Sequence, residues 1–180
     1  MKEEELVYKL QSHSHREEAF RILIMEYKRP LYAFIRKITI DHHDTDDVVQ
    51  MSFIKAFKYI NGFKGQSKIT TWLYTIARRE AINFMQQKAK KHNTSIDQLS
   101  LEAMKQLSIG SAYYGGDDIQ LKLQLAVAKL PLKQREVFNM KYFDKLKYIE
   151  ISEITGTSEG GLKANYHLAV KNLKQYLNLN

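Results

Sequence analysis

The sequence predicts an all-α protein, and three observations carry that reading. Only 2 prolines and 8 glycines occur in 180 residues. Apolar side chains recur mostly at three- and four-residue steps, the spacing that lines one face of a helix. Runs alternating β-branched and polar residues, the mark of strands, are few. With 44% hydrophobic residues, the chain can bury a core as one domain or as two small ones.

Each element follows in order. "REEAFRILIMEYKR" sets Ala19, Phe20, Leu23, Ile24 and Tyr27 on one stripe. Pro30 then opens a second helix, "PLYAFIRKITI", because the first helical position needs no amide hydrogen. "DHHDTDD" breaks the pattern, with Asp44 or Thr45 as N-cap of an amphipathic helix carrying Val48, Val49, Phe53, Ala56, Phe57 and Ile60. "NGFKGQSK" reads as a loop. Ser67 or Thr70 can cap the next helix, "TTWLYTIARREAINFMQQKAK", whose Trp72, Leu73, Ile76, Ala77, Ala81 and Phe84 face a core. From Lys88 onward the periodicity weakens, so 91–118 is expected to be a flexible linker with a short helix near Leu101–Leu107. Helices resume at Ile119–Lys129, after Pro131, at Tyr148–Ile154 and from Ser158. Two small helical domains are thus expected, 1–90 and 119–180, joined by that linker.

Composition narrows the function. No cysteine occurs, which excludes disulfides, a thiol nucleophile and cysteine zinc sites. "MKEEELVYKL" is acidic and lacks the apolar core of a signal peptide, and no apolar run is long enough to span a bilayer; a cytoplasmic protein without direct membrane insertion is expected. The formal net charge is +8 and the pI about 9.4, which suits a polyanionic partner. Acidic side chains outnumber basic ones over residues 2–50, whereas 55–91 carry nine basic and one acidic. That distribution is expected of a chain that meets two different partners.

"YIEISEITGTSEGGLKANYHLAV" has the spacing of a helix-turn-helix, with Gly156 at the turn and Glu150, Ile151, Ile154, Leu162 and Tyr166 at anchoring positions. From Leu162 to Tyr176 the second helix carries Lys163, Lys171 and Lys174 and no acidic residue. Asn165 and His167 add hydrogen-bonding groups able to touch phosphates and base edges. This helix opens after Ser158 on Gly160 and Gly161, although glycine costs roughly 1 kcal/mol against alanine in a helix. Fraying, close packing or a nearby phosphate would each explain the pair; in a helix-turn-helix reader the Gly160 amide faces a phosphate at the positive end of the helix dipole.

Taken together and in order, "AFRILIMEYKRPLYAFIRKIT", "DTDDVVQMSFIKAF", "FKGQSKITTWLYTIARREAINF", "LPLKQREVFNMKYF" and "YIEISEITGTSEGGLKANYHLAVKNLKQYL" resemble the bacterial RNA polymerase sigma factors of the extracytoplasmic-function group, within the sigma-70 family. The resemblance covers nearly the whole chain. It implies that the helix at Asp46–Ala56 docks on core RNA polymerase, with Asp46, Asp47, Gln50 and Phe53 as contacts. It implies that the loop Asn61–Ser67 and the helix after it capture the melted minus-ten element of promoter DNA. Asn61 and Ser67 fall in that pocket, and Lys64, Lys68, Arg78 and Arg79 lie near phosphates, as basic grooves hold single strands. The C-terminal motif then reads the minus-thirty-five duplex, with Ser158, Gly160, Gly161, Lys163, Ala164, Asn165, His167 and Lys171 as the DNA-binding candidates and Lys163, Ala164, Asn165 and His167 at positions from which relatives reach DNA. Many relatives have asparagine where Arg79 stands and arginine where Asn165 stands. An anti-sigma factor is a further implied partner.

No catalytic residue, cofactor or metal is expected, the catalyst being the polymerase. "DHHDTDD" lacks the oxygen spacing and glycine of a calcium loop, and "FKGQSK" lacks the Gly-Lys-Ser/Thr ending of a phosphate loop. Two other readings stand beside the sigma factor. One is a helix-turn-helix regulator that acts without being a polymerase subunit; the other is a metal-dependent hydrolase using His42, His43 and the neighbouring aspartates.

Overall fold

The computed structural model describes residues 2–111 and 118–178, the side chains at 108–111 and 118 excepted. Among the described residues all regular structure is helical, with no strand, as the spacing predicts. The chain divides into two compact units, Met1–Asn83 and Phe84–Asn180.

The first unit contains α1 (Glu3–Gln11), α2 (Arg16–Thr39), α3 (His42–Tyr59), a 3-10 turn at Ile60–Gly62 and α4 (Ile69–Lys91) as far as Asn83. Leu6 and Leu10 of α1, Leu23, Leu31 and Ile35 of α2, Val48 and Ala56 of α3, and Leu73 and Ala77 of α4 are buried together as its core. α2 is one helix and not the expected two, with Pro30 inside it. An interior proline costs about 3 kcal/mol by removing a hydrogen bond and crowding the preceding turn. The buried stripe of Leu23, Leu31, Phe34, Ile35 and Ile38 runs on both sides of Pro30, and each such side chain contributes about 1.5–3 kcal/mol. Burial therefore outweighs the proline.

The corner into α3 also departs from expectation. Asp41, not Asp44 or Thr45, is the N-cap, its carboxylate accepting from the Asp44 amide at 2.9 Å. Thr45 is instead fully buried, its hydroxyl 2.7 Å from that of Thr39. At the start of α4 the cap comes from far away in sequence. The Ile69 amide donates to Glu3 Oε1 at 2.6 Å, so the first residue of α4 is satisfied by α1 and not by Ser67 or Thr70.

The second unit contains the end of α4, then α5 (Ile96–Ser111), α6 (Asp118–Ala128), α7 (Leu132–Phe138), a π-type turn at Asn139–Phe143, α8 (Tyr148–Thr155) and α9 (Glu159–Tyr176). Ala126, Val127, Leu130, Phe138, Ala169 and Leu173 form its core, joined by Leu123, Tyr166 and Val170. Phe138 stacks on both Tyr142 and Tyr166, with Phe143 edge-on to it. In the segment expected to be a linker, α5 is longer than the helix foreseen near Leu101–Leu107; residues 112–117 of that segment lie outside the described residues.

Arg135 explains how α5 is held. It is 2% exposed. Its guanidinium donates to the Ala128 and Leu130 carbonyls at 3.2 and 3.4 Å and to Ser100 Oγ of α5 at 3.1 Å, with Asp97 Oδ1 3.6 Å away. Burial lowers its pKa and the Asp97 carboxylate opposes that shift.

Candidate functional site

On α3 the acidic start and the apolar continuation share an exposed face. Asp46, Asp47 and Gln50 are exposed. Phe53 is not on that face: it is 7% exposed and packs edge-on against Phe20 of α2, their ring centroids 6.2 Å apart. Phe53 is therefore a core residue, and the apolar side chains that this face does expose are Ile54, at 59%, and Met51. The helical period carries the signal, since Ile54 and not Phe53 lies four residues beyond Gln50 and seven beyond Asp47.

The loop after α3 is held from one side by α1 and the start of α2. Gln11 Nε2 donates to the Phe63 carbonyl at 2.7 Å and to the Ile60 carbonyl at 3.3 Å. Arg16 Nη2 donates to Asn61 Oδ1 at 2.6 Å, and its Nε to the Leu10 carbonyl at 3.1 Å. No local signal in the sequence marks Glu3, Gln11 or Arg16, because their partners lie 45 or more residues away. Asn61, Lys64, Lys68 and Arg79 are exposed, while Ser67 and Arg78 are half-buried. Trp72 is half-buried against the buried Phe63, centroids 5.4 Å apart. The loop thus carries a basic, solvent-facing surface over an aromatic base.

In α8–α9 the two helices form a helix-turn-helix. Gly156 closes α8 in the left-handed conformation at φ 72°, its amide bonded to the Ser152 carbonyl at 2.8 Å; glycine is the residue that adopts this cap without a Cβ penalty. Ser158 is the N-cap of α9, its hydroxyl accepting from the Gly161 amide at 3.2 Å. Lys163, Ala164, His167 and Lys171 are exposed, on the side away from the buried Leu162, Ala169 and Leu173. Lys163 Nζ also lies 5.7 Å from the Tyr148 ring centroid, a ring that Lys141 faces as well. Asn165 is half-buried, and its Nδ2 donates to the Gly161 carbonyl at 3.0 Å. That bond uses one of the two Nδ2 hydrogens and leaves the other, with Oδ1, for a base edge.

The two glycines differ. A Cβ on Gly160 would meet nothing within 4 Å, whereas one on Gly161 would sit 3.2 Å from Thr157 Cγ2 and 3.3 Å from Ser158 Oγ. Close packing accounts for Gly161, which crowds the cap, and not for Gly160. Gly160→Ala is expected to raise stability by up to about 1 kcal/mol, read as a shift in thermal midpoint, and to lower affinity for minus-thirty-five duplex if a phosphate approaches that turn. A fall in stability without DNA would contradict the open space around Gly160.

His42 and His43 are exposed, and His42 Nδ1 is hydrogen-bonded to the Tyr32 hydroxyl. Among the described residues no group of three or more His, Asp or Glu is gathered to hold a metal, so no feature favours the hydrolase reading. Nor is any helix there long and apolar enough to cross a membrane.

Comparison with known proteins agrees with this arrangement. Residues 23–91 match the family Sigma-70 region 2, and residues 120–173 match Sigma-70, region 4. The chain is 29% identical over 168 residues to the ECF RNA polymerase sigma factor SigW of Bacillus subtilis, covering 89% of this chain and 90% of that one. It is 26% identical over 155 residues to the ECF RNA polymerase sigma-E factor of Escherichia coli K12, covering 82% and 81%. Two solved structures share its fold. CnrH in complex with the cytosolic domain of CnrY superposes with TM-score 0.71 at 18% identity, over 99% and 98% of the two chains. The sigma factor RpoE in complex with the anti-sigma factor NepR, from Bartonella quintana, gives 0.67 at 24% identity, over 89% and 98%. With both sigma-70 regions in order and relatives of this group along most of its length, the chain belongs to the sigma-70 family as an extracytoplasmic-function (ECF) sigma factor, a protein that directs transcription initiation.

Proposed function

We propose that this sigma factor docks on core RNA polymerase through the exposed face of α3, captures the melted minus-ten strand on the loop Asn61–Lys68, and reads the minus-thirty-five duplex with α9. The observation that carries this reading is the face formed by Asp46, Asp47, Gln50, Met51 and Ile54. An acidic patch beside exposed apolar side chains suits a basic protein partner. A regulator that only bound duplex DNA would have no use for it. The chain is proposed to perform no catalysis itself, the polymerase making the bonds, and to act in the cytoplasm. Residues 91–118 are proposed to connect the two DNA-reading domains. RpoE of Bartonella quintana, which shares this fold, forms a complex with the anti-sigma factor NepR, and an inhibitor of that kind is a proposed further partner.

Reconstitution tests the reading: purified chain with core polymerase should give run-off transcripts from a subset of genomic fragments, and their absence with competent core from the same source would overturn it. Within the reconstituted system, changing Lys64 and Lys68 to alanine is expected to reduce promoter opening by about tenfold, since phosphate contacts dominate the affinity for a single strand. Permanganate reactivity of minus-ten thymines measures this, and duplex binding by the C-terminal unit should stay unchanged. Equal thymine reactivity in variant and parent would refute the assignment of that loop.

A further inference from the structure

The segment matched by sigma-70 region 2 begins at residue 23, yet the loop proposed to hold the melted strand is shaped by residues that precede it. Gln11 holds the backbone carbonyls of Ile60 and Phe63, Glu3 caps α4 at Ile69, and Arg16 holds the side chain of Asn61. Leu6 and Leu10 bury α1 against the unit, and Ala19 and Phe20 bury the first turn of α2, so Glu3 and Gln11 on the one helix and Arg16 on the other are fixed at their root. The Arg16–Asn61 contact carries chemical information. A guanidinium has five donors and no acceptor, so the atom facing it at 2.6 Å must be the amide oxygen of Asn61. That choice settles the orientation of the amide, which is otherwise ambiguous for asparagine. With Oδ1 accepting from the Arg16 guanidinium, whose positive charge disfavours a second donor at its remaining lone pair, exposed Asn61 turns toward a base the two donors of its Nδ2.

We infer that Arg16 is a positioning residue that locks Asn61 with Oδ1 held by the guanidinium and the Nδ2 donors turned outward. The loop thereby accepts a keto-bearing base of the displaced strand, thymine at O4 or guanine at O6, in preference to an amino-bearing one, cytosine at N4 or adenine at N6. The inference rests on the proposed role of the loop in holding the melted strand. The two groups of bases differ at that ring position by an acceptor against a donor. A fixed donor discriminates between them; an amide free to flip does not. Asn61→Asp keeps a partner for Arg16 and replaces the donors by acceptors, so it should reverse the preference.

The test uses the full chain with core polymerase on a promoter found by the reconstitution above, with its minus-ten element randomised and its transcripts sequenced. At one position Asn61→Asp should turn the keto preference into an amino preference, by about tenfold, the worth of one exchanged hydrogen bond. Arg16→Ala should flatten the preference at that same position and leave the others as they were. Arg16→Lys, also a pure donor, should retain it. A purely structural role for Arg16 would lower transcription at every sequence alike, and thermal melting of each variant identifies such a loss. An Arg16→Ala profile equal to the parent's, beside an inverted Asn61→Asp profile, overturns the positioning role. Unchanged profiles in both overturn the inference whole, while a defect in opening by the Lys64 and Lys68 variant keeps the loop assignment standing. If that variant too opens promoters like the parent, the loop assignment itself falls.

Discussion

Reversing Asp46 and Asp47 to lysine is expected to weaken binding to core polymerase by about a hundredfold in a low-salt titration, while the unfolding midpoint of the free chain stays within its error. Both carboxylates are exposed near the start of α3, where they favour the helix only through its dipole. Exposed substitutions of this kind usually change stability by less than about 0.5 kcal/mol. At an interface with a basic partner the same change turns two attractions into two repulsions, and like-charge juxtaposition costs several kcal/mol. A hundredfold corresponds to about 2.8 kcal/mol. The loss should shrink as salt rises, because the Debye length is about 10 Å at 0.1 M. Unchanged affinity at low salt would exclude this face of α3 as the docking surface. Ile54→Ala offers an independent check on the apolar half of the face, and Phe53→Ala, by contrast, should unfold the first unit before it reports on docking.

Arg135→Met should destabilise the second unit by about 3 kcal/mol, a large share of the 5–15 kcal/mol that holds a typical domain. Methionine fills much of the volume but donates nothing. The Ala128 and Leu130 carbonyls and the Ser100 hydroxyl, all bonded to the guanidinium now, would lose their partner, and each buried group so orphaned costs about 1–3 kcal/mol. Recovery of the guanidinium's own desolvation offsets part of that sum. Asp97→Asn is the control. Its carboxylate is 50% exposed, so the pair contributes less than about 1 kcal/mol and the variant should melt near the parent. Equal midpoints for Arg135→Met and the parent would show that the buried guanidinium does not hold α5 to the unit.

The sequence made helices legible where burial follows the period of one element, and obscured whatever depends on residues far apart. Val48, Val49 and Ala56 announce the buried side of α3, and Ser158 announces where α9 begins. Pro30 was misleading because its local cost is visible in the sequence while the buried stripe that outweighs it continues on both sides. Asp41 does not stand out as a cap because three other aspartates crowd the same stretch. Resemblance puts Phe53 at the surface, although an aromatic ring one step off the Gln50–Ile54 line faces the core. The polar network around the loop was out of reach: Gln11, Arg16 and Glu3 look like ordinary solvated residues until the fold brings their partners to them. Arg135 is the same case, since an arginine within "LKQREVF" reads as exposed.

The chain has one tryptophan, and the contact of Trp72 with Phe63 places that fluorophore at the foot of the loop. The second unit contains none, but its stacked Phe138, Tyr142 and Tyr166 supply a chiral aromatic array. The first unit has a stacked pair of its own, Phe34 on Tyr74, so tyrosine dichroism sums over both units. Tryptophan emission, by contrast, has a single origin and follows events at the loop Asn61–Lys68. A stopped-flow experiment on the unmodified chain can therefore time what happens at that loop without any label.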